Sequence, residues 1–205
     1  MNAIDTIFFL AILIMSVVIH EVSHGFMAER LGDKTARLAG RLTLNPLNHL
    51  DLFGSVLLPA ILYFTTGFAF GWARPVPYNP ANLRNERWGT IAVAAAGVLA
   101  NLFIALFFGL VLRFLAPGYA PENLVSFVSS IVIVNLALAF FNLVPIPPLD
   151  GSKILFGLLP GSFASAVSVI ERYSLFILIA FIFFFSQWLN PLILHAFMLI
   201  TGMGL

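Results

Sequence analysis

The chain has 205 residues, of which 60% are hydrophobic and 9% are charged, and its formal net charge is +1. Soluble domains are about half apolar and about a quarter charged, so this composition indicates a membrane-embedded protein. The near-neutral charge gives no support for nucleic acid as a partner. The absence of cysteine excludes disulfides and thiolate metal ligands.

Apolar runs along the chain predict its helices, since a membrane-spanning helix needs about 20 apolar residues. Four runs of this kind cover residues 4–28, 90–115, 124–143 and 164–186. Residues 189–202 are a shorter run, either a tilted last span or an interfacial helix. We predict an all-α polytopic membrane protein with about five to six transmembrane helices. Residues 1–205 are expected to form a single domain, with a catalytic core over about 1–160 and C-terminal helices over about 161–205.

Residues 50–70 are also apolar enough to span the membrane, and two topologies are open for them. A full crossing would put Asp150 on the opposite side of the membrane from His24, whereas a re-entrant element would keep both on one side. The re-entrant arrangement also gathers seven cations on one face, which the positive-inside rule makes cytoplasmic. These cations are Arg30, Lys34, Arg37, Arg41, Arg74, Arg84 and Arg87. We predict a re-entrant element with an extended return limb over residues 68–78, which contain two prolines.

The first apolar run contains the sequence His20-Glu21-Val22-Ser23-His24. Residues four apart share one face of a helix, so His20 and His24 can bind one metal ion together. Glu21 can then reach a water bound to that metal. Ionisable groups are costly inside a membrane, so this cluster indicates a functional site. The structural alternative is a buried polar network between helices.

A second motif, Asn142-Leu143-Val144-Pro145-Ile146-Pro147-Pro148-Leu149-Asp150-Gly151, ends the third apolar run. Its three prolines forbid a regular helix, so the chain presents Asp150 from a stiff extended stretch before a short helix over residues 152–159. Zinc used for hydrolysis takes three protein ligands and keeps one open position. Asp150 is the predicted third ligand, and a helix N-cap is its structural alternative.

Hydrolysis at such a centre also needs a base and a donor to the developing oxyanion. Glu21 is the predicted general base, and Asn142 and Asn101 are the candidate amide donors. Each asparagine also has a structural interpretation, as an interhelical hydrogen-bonding residue for Asn142 and as close helix packing with Gly97 for Asn101. The two other histidines, His49 and His195, are interpreted as structural.

Together these motifs resemble the site-2 protease family of intramembrane zinc metalloproteases. The resemblance rests on HEVSHG at residues 20–25, NLVPIPPLDG at 142–151 and GVLAN at 97–101. FGWARPVPYNP at 70–80 is similar to a compact subfamily without PDZ or CBS domains. The resemblance implies one Zn²⁺ per chain held by His20, His24 and Asp150, with Glu21 as the catalytic base. It places Asn142 at the substrate or oxyanion side.

A family of this kind cuts transmembrane protein substrates, which must unwind before hydrolysis. An exposed strand edge can hold an unwound segment by β-augmentation, and residues 68–76 are the predicted edge. Phe70, Gly71, Trp72 and Asn101 are the predicted substrate-binding residues. We expect an integral, multi-pass protein of a prokaryotic cell membrane, with the active site nearer the cytoplasmic side and the lipid bilayer as a further partner. No sequence feature sets the oligomeric state.

The alternatives to proteolysis are a metal-binding membrane transporter and a catalytically inactive membrane scaffold. A metal-binding membrane transporter would need further ligands along the path of the ion. It also usually carries paired half-helices from an internal repeat, whereas the sequence shows no repeat. A catalytically inactive membrane scaffold would not need an intact base, whereas Glu21, His20, His24 and Asp150 are all present.

Overall fold

The structure, a computed structural model, describes residues 3–51, 54, 57, 61, 74–115 and 121–203. The regular secondary structure of these residues is entirely helical, without a β-strand, which confirms the predicted all-α class for the described part of the chain. Its α-helices, in chain order, are α1 (Ala3–Arg30), α2 (Thr35–Leu38), α3 (Glu86–Leu115), α4 (Glu122–Leu143), α5 (Asp150–Leu158), α6 (Ala164–Arg172), α7 (Ser174–Phe184) and α8 (Leu189–Thr201). Short 3-10 turns lie at Pro46–His49, Pro80–Asn82, Gly161–Phe163 and Ser186–Trp188.

Three helices, α1, α3 and α4, are long and apolar enough to cross a membrane. A fourth candidate is the pair Gly161–Arg172 and Ser174–Phe184, which is bent by 68°. The described residues therefore carry three to four candidate spans, and the predicted count of five to six is not confirmed. Most of residues 50–70 and most of the predicted return limb lie outside the described residues. The described end of that limb, residues 74–79, has no regular secondary structure.

The centre of the bundle is α3, which packs against α1, α4, α5 and α8. A core of buried side chains joins α3, α4 and α8, and consists of Ala105, Leu112, Val128, Val132, Leu136, Ile193 and Phe197. Large apolar side chains such as Phe103 and Phe176 remain exposed on the outer surface. Lipid tails are as apolar as these side chains, so van der Waals packing rather than water exclusion holds such helices together.

A buried carboxylate ties the end of α1 to the segment that precedes α3. Asp33 is fully buried and accepts hydrogen bonds from the backbone N–H and hydroxyl of Thr35, from the Asn79 N–H at 2.7 Å and from the Asn82 amide at 2.9 Å. Burial alone would raise the pKa of Asp33, but these hydrogen bonds outweigh it and hold the pKa below its ordinary value. The ionised carboxylate therefore fixes residues 79–82 against the end of α1.

Candidate metal centre

The metal-binding motif lies within α1, where the helical period brings its two imidazoles together. His20 and His24 are both buried, and their ring centroids lie 4.6 Å apart. The carboxylate of Glu21 completes a group whose potential ligand atoms all lie within 4.8 Å of one another. One turn of α1 thus supplies two nitrogen donors and one carboxylate on adjoining faces.

The proline-rich motif brings Asp150 to the same place. α5 begins at Asp150, whose Oδ2 lies 3.0 Å from His20 Nε2 and 3.1 Å from His24 Nε2. Its other oxygen, Oδ1, lies 3.4 Å from the Lys153 ammonium. The N-cap of α5 is Leu149, with no side-chain capping bond, so the N-cap interpretation of Asp150 is wrong.

Gly97 permits α3 to approach the histidines, and Gly151 permits the start of α5 to approach the end of α4. A Cβ on Gly97 would lie 2.6 Å from His24 Nε2 and 2.7 Å from His20 Cε1. A Cβ on Gly151 would lie 2.1 Å from the Leu143 carbonyl oxygen, so a side chain there would push the start of α5 away from the end of α4. The absence of side chains at both positions therefore sets the position of the cluster.

The protonation of His24 provides a test of whether this cluster suits a cation. Its Nδ1 lies 2.7 Å from the Val93 carbonyl oxygen, which can only accept, so Nδ1 carries the proton. In a neutral imidazole the Nε2 then holds a lone pair, and it faces the lone pairs of Asp150 Oδ2 at 3.1 Å. Two acceptors at this distance repel each other unless a cation lies between them.

Zinc satisfies this requirement. Its bonds to imidazole nitrogen and carboxylate oxygen are about 2.0–2.2 Å, so tetrahedral ligand atoms lie about 3.3–3.6 Å apart. The separations of 3.0 and 3.1 Å from the two Nε2 atoms to Asp150 Oδ2 are a few tenths of an ångström shorter. The Val93 carbonyl also provides the kind of outer hydrogen bond that orients a ligating histidine. The residues present therefore fit a metal ion.

Glu21 contacts the irregular segment that precedes α3. The Val76 N–H donates a hydrogen bond to Glu21 Oε2 at 2.9 Å, and the Val76 side chain is buried. This bond orients the carboxylate and occupies one of its oxygens. Phe70, Gly71 and Trp72, the predicted substrate-binding residues, lie outside the described residues.

The two candidate oxyanion donors have different surroundings. Asn142 is half-buried, and its Nδ2 donates to the Leu138 carbonyl oxygen of the preceding turn at 2.9 Å. Asn101 is fully buried, one helical turn after Gly97 on α3, and neither its Nδ2 nor its Oδ1 has a partner among the described residues. Asn101 therefore has the freer amide of the two.

Of the other histidines, His49 is buried and its Nε2 donates to the Thr43 carbonyl oxygen at 2.8 Å, which agrees with a structural role. His195 is exposed on α8.

Three groups at the metal centre were not predicted from the sequence. The Val76 N–H and the Val93 carbonyl belong to the backbone, so residue type carries no signal for them. Lys153 could have been found, since it lies three residues after Asp150 on a predicted short helix and neighbours at that spacing share a face.

A bundle of apolar helices with this cluster defines a membrane-embedded metallohydrolase, and comparison with known proteins assigns the family. The profile of peptidase family M50 matches residues 8–123 and 118–185, which is most of the chain, so the chain belongs to peptidase family M50. The resemblance to site-2 proteases is thereby confirmed.

The relatives of this chain include bacterial proteins named as candidate zinc metalloproteases. YwhC of Bacillus subtilis (strain 168) is 37% identical over 187 residues, covering 88% of this chain and 79% of YwhC. Rip2 of Mycolicibacterium smegmatis is 35% identical over 140 residues, covering 67% of this chain and 52% of that protein. Rip2 of Mycobacterium tuberculosis (strain H37Rv) is 27% identical over 172 residues, covering 82% of this chain and 64% of that protein. The chain thus spans about half the length of the Mycolicibacterium relative. No solved structure shows a significant match.

Proposed function

We propose that this protein is an intramembrane zinc endopeptidase that hydrolyses peptide bonds of transmembrane proteins. The observation that carries the proposal is that Asp150 Oδ2 lies 3.0 Å from His20 Nε2 and 3.1 Å from His24 Nε2, two buried histidines on a helix long and apolar enough to span a membrane. Family M50 membership and the names of the relatives support peptide hydrolysis and zinc.

In this proposal His20, His24 and Asp150 hold one Zn²⁺ per chain. When bound, zinc supplies a Lewis acid that lowers the pKa of a water toward about 7 and polarises a carbonyl. The Lys153 ammonium lies 3.4 Å from Asp150 Oδ1, and Oδ2 is directed at the two imidazoles. The Val93 carbonyl holds His24 in the tautomer whose Nε2 can act as a ligand.

Glu21 is the proposed general base. Its Oε2 accepts the Val76 N–H, which leaves Oε1 to take the proton of the attacking water and return it to the leaving amine. Asn101, whose amide has no partner among the described residues, is the preferred donor to the developing oxyanion. Asn142 would first have to release the Leu138 carbonyl oxygen.

The substrate is proposed to bind as an extended segment along the chain that leads to Val76. A peptide bond in a helix is shielded by its own hydrogen bonds, so a transmembrane substrate must unwind before Glu21 and the metal can act on it. Residues 74–79 have no regular secondary structure, and their Val76 N–H lies at the centre. An extended backbone of this kind can pair with an unwound chain by β-augmentation.

The proposed setting is a prokaryotic cell membrane that the chain crosses several times. The Arg30 end of α1 and the Arg87 end of α3 carry most of the cations, so the positive-inside rule makes that face cytoplasmic. The active site, within about three turns of Arg30, then lies nearer the cytoplasmic side.

Cleavage of a transmembrane reporter by the purified protein tests the proposal. Glu21→Gln should retain its metal, because the three proposed ligands are intact, and should lose cleavage by about 100-fold to 10,000-fold, the usual contribution of a general base. Metal content is measured by elemental analysis of the same preparation.

A matched control is Glu171→Gln, the same change at an exposed residue of α6. This control should cleave at the wild-type rate. Equal activity of Glu21→Gln and wild type would refute the assignment of the base, and metal-free wild-type protein that cleaves at the normal rate would refute the zinc mechanism.

A further inference from the structure

A polar cavity lies between the loop after α2 and the segment before α3, two residues of which flank Val76. Its volume is about 520 Å³, and residues of both segments line it. The lining includes Gly40, Arg41 and Leu47 on one side and Arg74, Pro75 and Pro77 on the other. None of these residues belongs to the proposed metal-binding or catalytic set.

The two arginines give this cavity its charge. Arg41 is nine-tenths buried, with 9% of its surface exposed, whereas Arg74 is exposed at the mouth. All nine acidic residues of the chain are among those that the structure describes, and none lies within ion-pair distance of either guanidinium. A buried guanidinium without an ionic partner is costly, so the cavity lacks a compensating anion.

The direction of the pKa shift of Arg41 is consistent with a cavity that lacks an anion. Burial lowers the pKa of Arg41, the like charge of Arg74 lowers it further, and the more distant Glu21 carboxylate only partly compensates. The two cations therefore raise each other's energy in the absence of an anion. An anion in the cavity would relieve both the desolvation and the mutual repulsion.

We propose that the cavity lined by Arg41 and Arg74 is a binding site for a phosphate group. Guanidinium groups bind phosphate oxygens through paired, charge-assisted hydrogen bonds, and a cavity of this volume admits a phosphate with its ester substituents. The group comes either from an anionic phospholipid headgroup, since the site adjoins the end of a membrane-spanning helix, or from a soluble phosphate compound.

An occupant of this cavity would contact the segment that orients Glu21. Pro75 and Pro77 line the cavity, and Val76 between them donates its N–H to the Glu21 carboxylate. The Arg74 N–H is bonded to the His49 carbonyl oxygen at 2.9 Å, which fixes the start of the segment to the opposite wall. A bound phosphate would therefore link the two walls and hold residues 74–77 beside the metal centre.

The test is a binding measurement on the full chain in an uncharged detergent, with Arg74→Gln as the variant. Inorganic phosphate is titrated by calorimetry in one arm. In the other, phosphatidylglycerol and phosphatidylcholine are compared as retained lipids by native mass spectrometry. Loss of one guanidinium should weaken binding about tenfold or more, because hydrogen bonds to charged groups are the strong ones. Choline neutralises its own phosphate, so phosphatidylglycerol should be retained in preference.

Arg84→Gln is the matched control, because Arg84 is an exposed arginine near the same face that does not line the cavity. Arg84→Gln should bind phosphate with the wild-type affinity. Phosphate that binds at the metal instead of the cavity would remain bound in both Arg74→Gln and Arg84→Gln. Binding in the phosphate arm alone identifies a soluble source, and binding in the lipid arm alone identifies a headgroup. Equal affinity of Arg74→Gln and wild type, or no binding in either arm, would overturn the proposal. The readout is binding, so it is independent of whether the protein cleaves peptides.

Discussion

Replacement of Asp33 by asparagine should loosen the segment that supports the active site. In the native protein Oδ1 accepts from both donors of Thr35 and from the Asn82 amide, and Oδ2 accepts from the Asn79 N–H. Asparagine can keep its oxygen at the Oδ1 position, which places its NH₂ against the Asn79 N–H. The loss of one hydrogen bond to a charged group and the burial of unsatisfied donors together cost about 3 kcal/mol. The local opening equilibrium of residues 79–82 should rise about 100-fold, since 1.4 kcal/mol is a factor of ten.

Hydrogen exchange at the Asn79 amide measures this opening directly. Asp33→Asn should lose about 100-fold of its protection there and should cleave a reporter more slowly, while its metal content stays at the wild-type level. Glu171→Gln, an acid-to-amide change at an exposed position, should leave Asn79 protected. Wild-type protection of Asn79 in Asp33→Asn would refute the view that this carboxylate fixes the segment.

The pH dependence of the same contact follows from the direction of the pKa shift. The pKa of Asp33 is lower in the folded protein than its ordinary value of about 3.9, so its stabilising contribution is complete above that value. The contribution is lost as the pH falls through the lower, folded pKa. Protection of Asn79 relative to a free peptide should therefore fall in strong acid in wild type and not in Asp33→Asn.

Substitutions at Gly97 and at Val76 test two different contacts of the metal centre, one through metal content and the other through the cleavage rate. Gly97→Ala would place a methyl group 2.6 Å from His24 Nε2, so elemental analysis should find reduced metal, whereas Gly161→Ala, with nothing within 4 Å, should retain it. Full metal content in Gly97→Ala would contradict the close approach of α3. Val76→Pro removes the N–H that orients Glu21, so cleavage should fall with metal retained, and Val76→Ala, which keeps the amide, should cleave faster than the proline variant. Equal rates in the two Val76 variants would show that this hydrogen bond is dispensable.

The three long helices could be predicted from apolar runs because each run is continuous and exceeds the thickness of a bilayer. The run over residues 164–186 is divided into two helices in the structure, for a physical reason. A polar pair, Glu171 and Arg172, interrupts it just before Tyr173, where α6 ends and α7 begins after a sharp bend. These two charges mark the break, but the average hydropathy of the run conceals them.

The candidate metal centre could likewise be predicted only in part from the sequence. The spacing of His20 and His24 determines their shared face of α1, so this half of the cluster follows from the period of a helix. The approach of Asp150 depends on the packing of α1, α3 and α5, which no spacing encodes. The prolines before Asp150 predicted a stiff stretch that presents this residue and a short helix over residues 152–159, whereas the helix already begins at Asp150. The Val76 and Val93 backbone groups could not be foreseen, because any residue type offers them.

The wide separation of Asp150 from His20, 130 residues along the chain, has a consequence for biosynthesis. A nascent chain inserts the two imidazoles first and acquires the proposed third ligand only after α3 and α4 have been made. Until then the growing polypeptide holds only two of the three proposed ligands. With that ligand set, the metal centre is completed only late in translation.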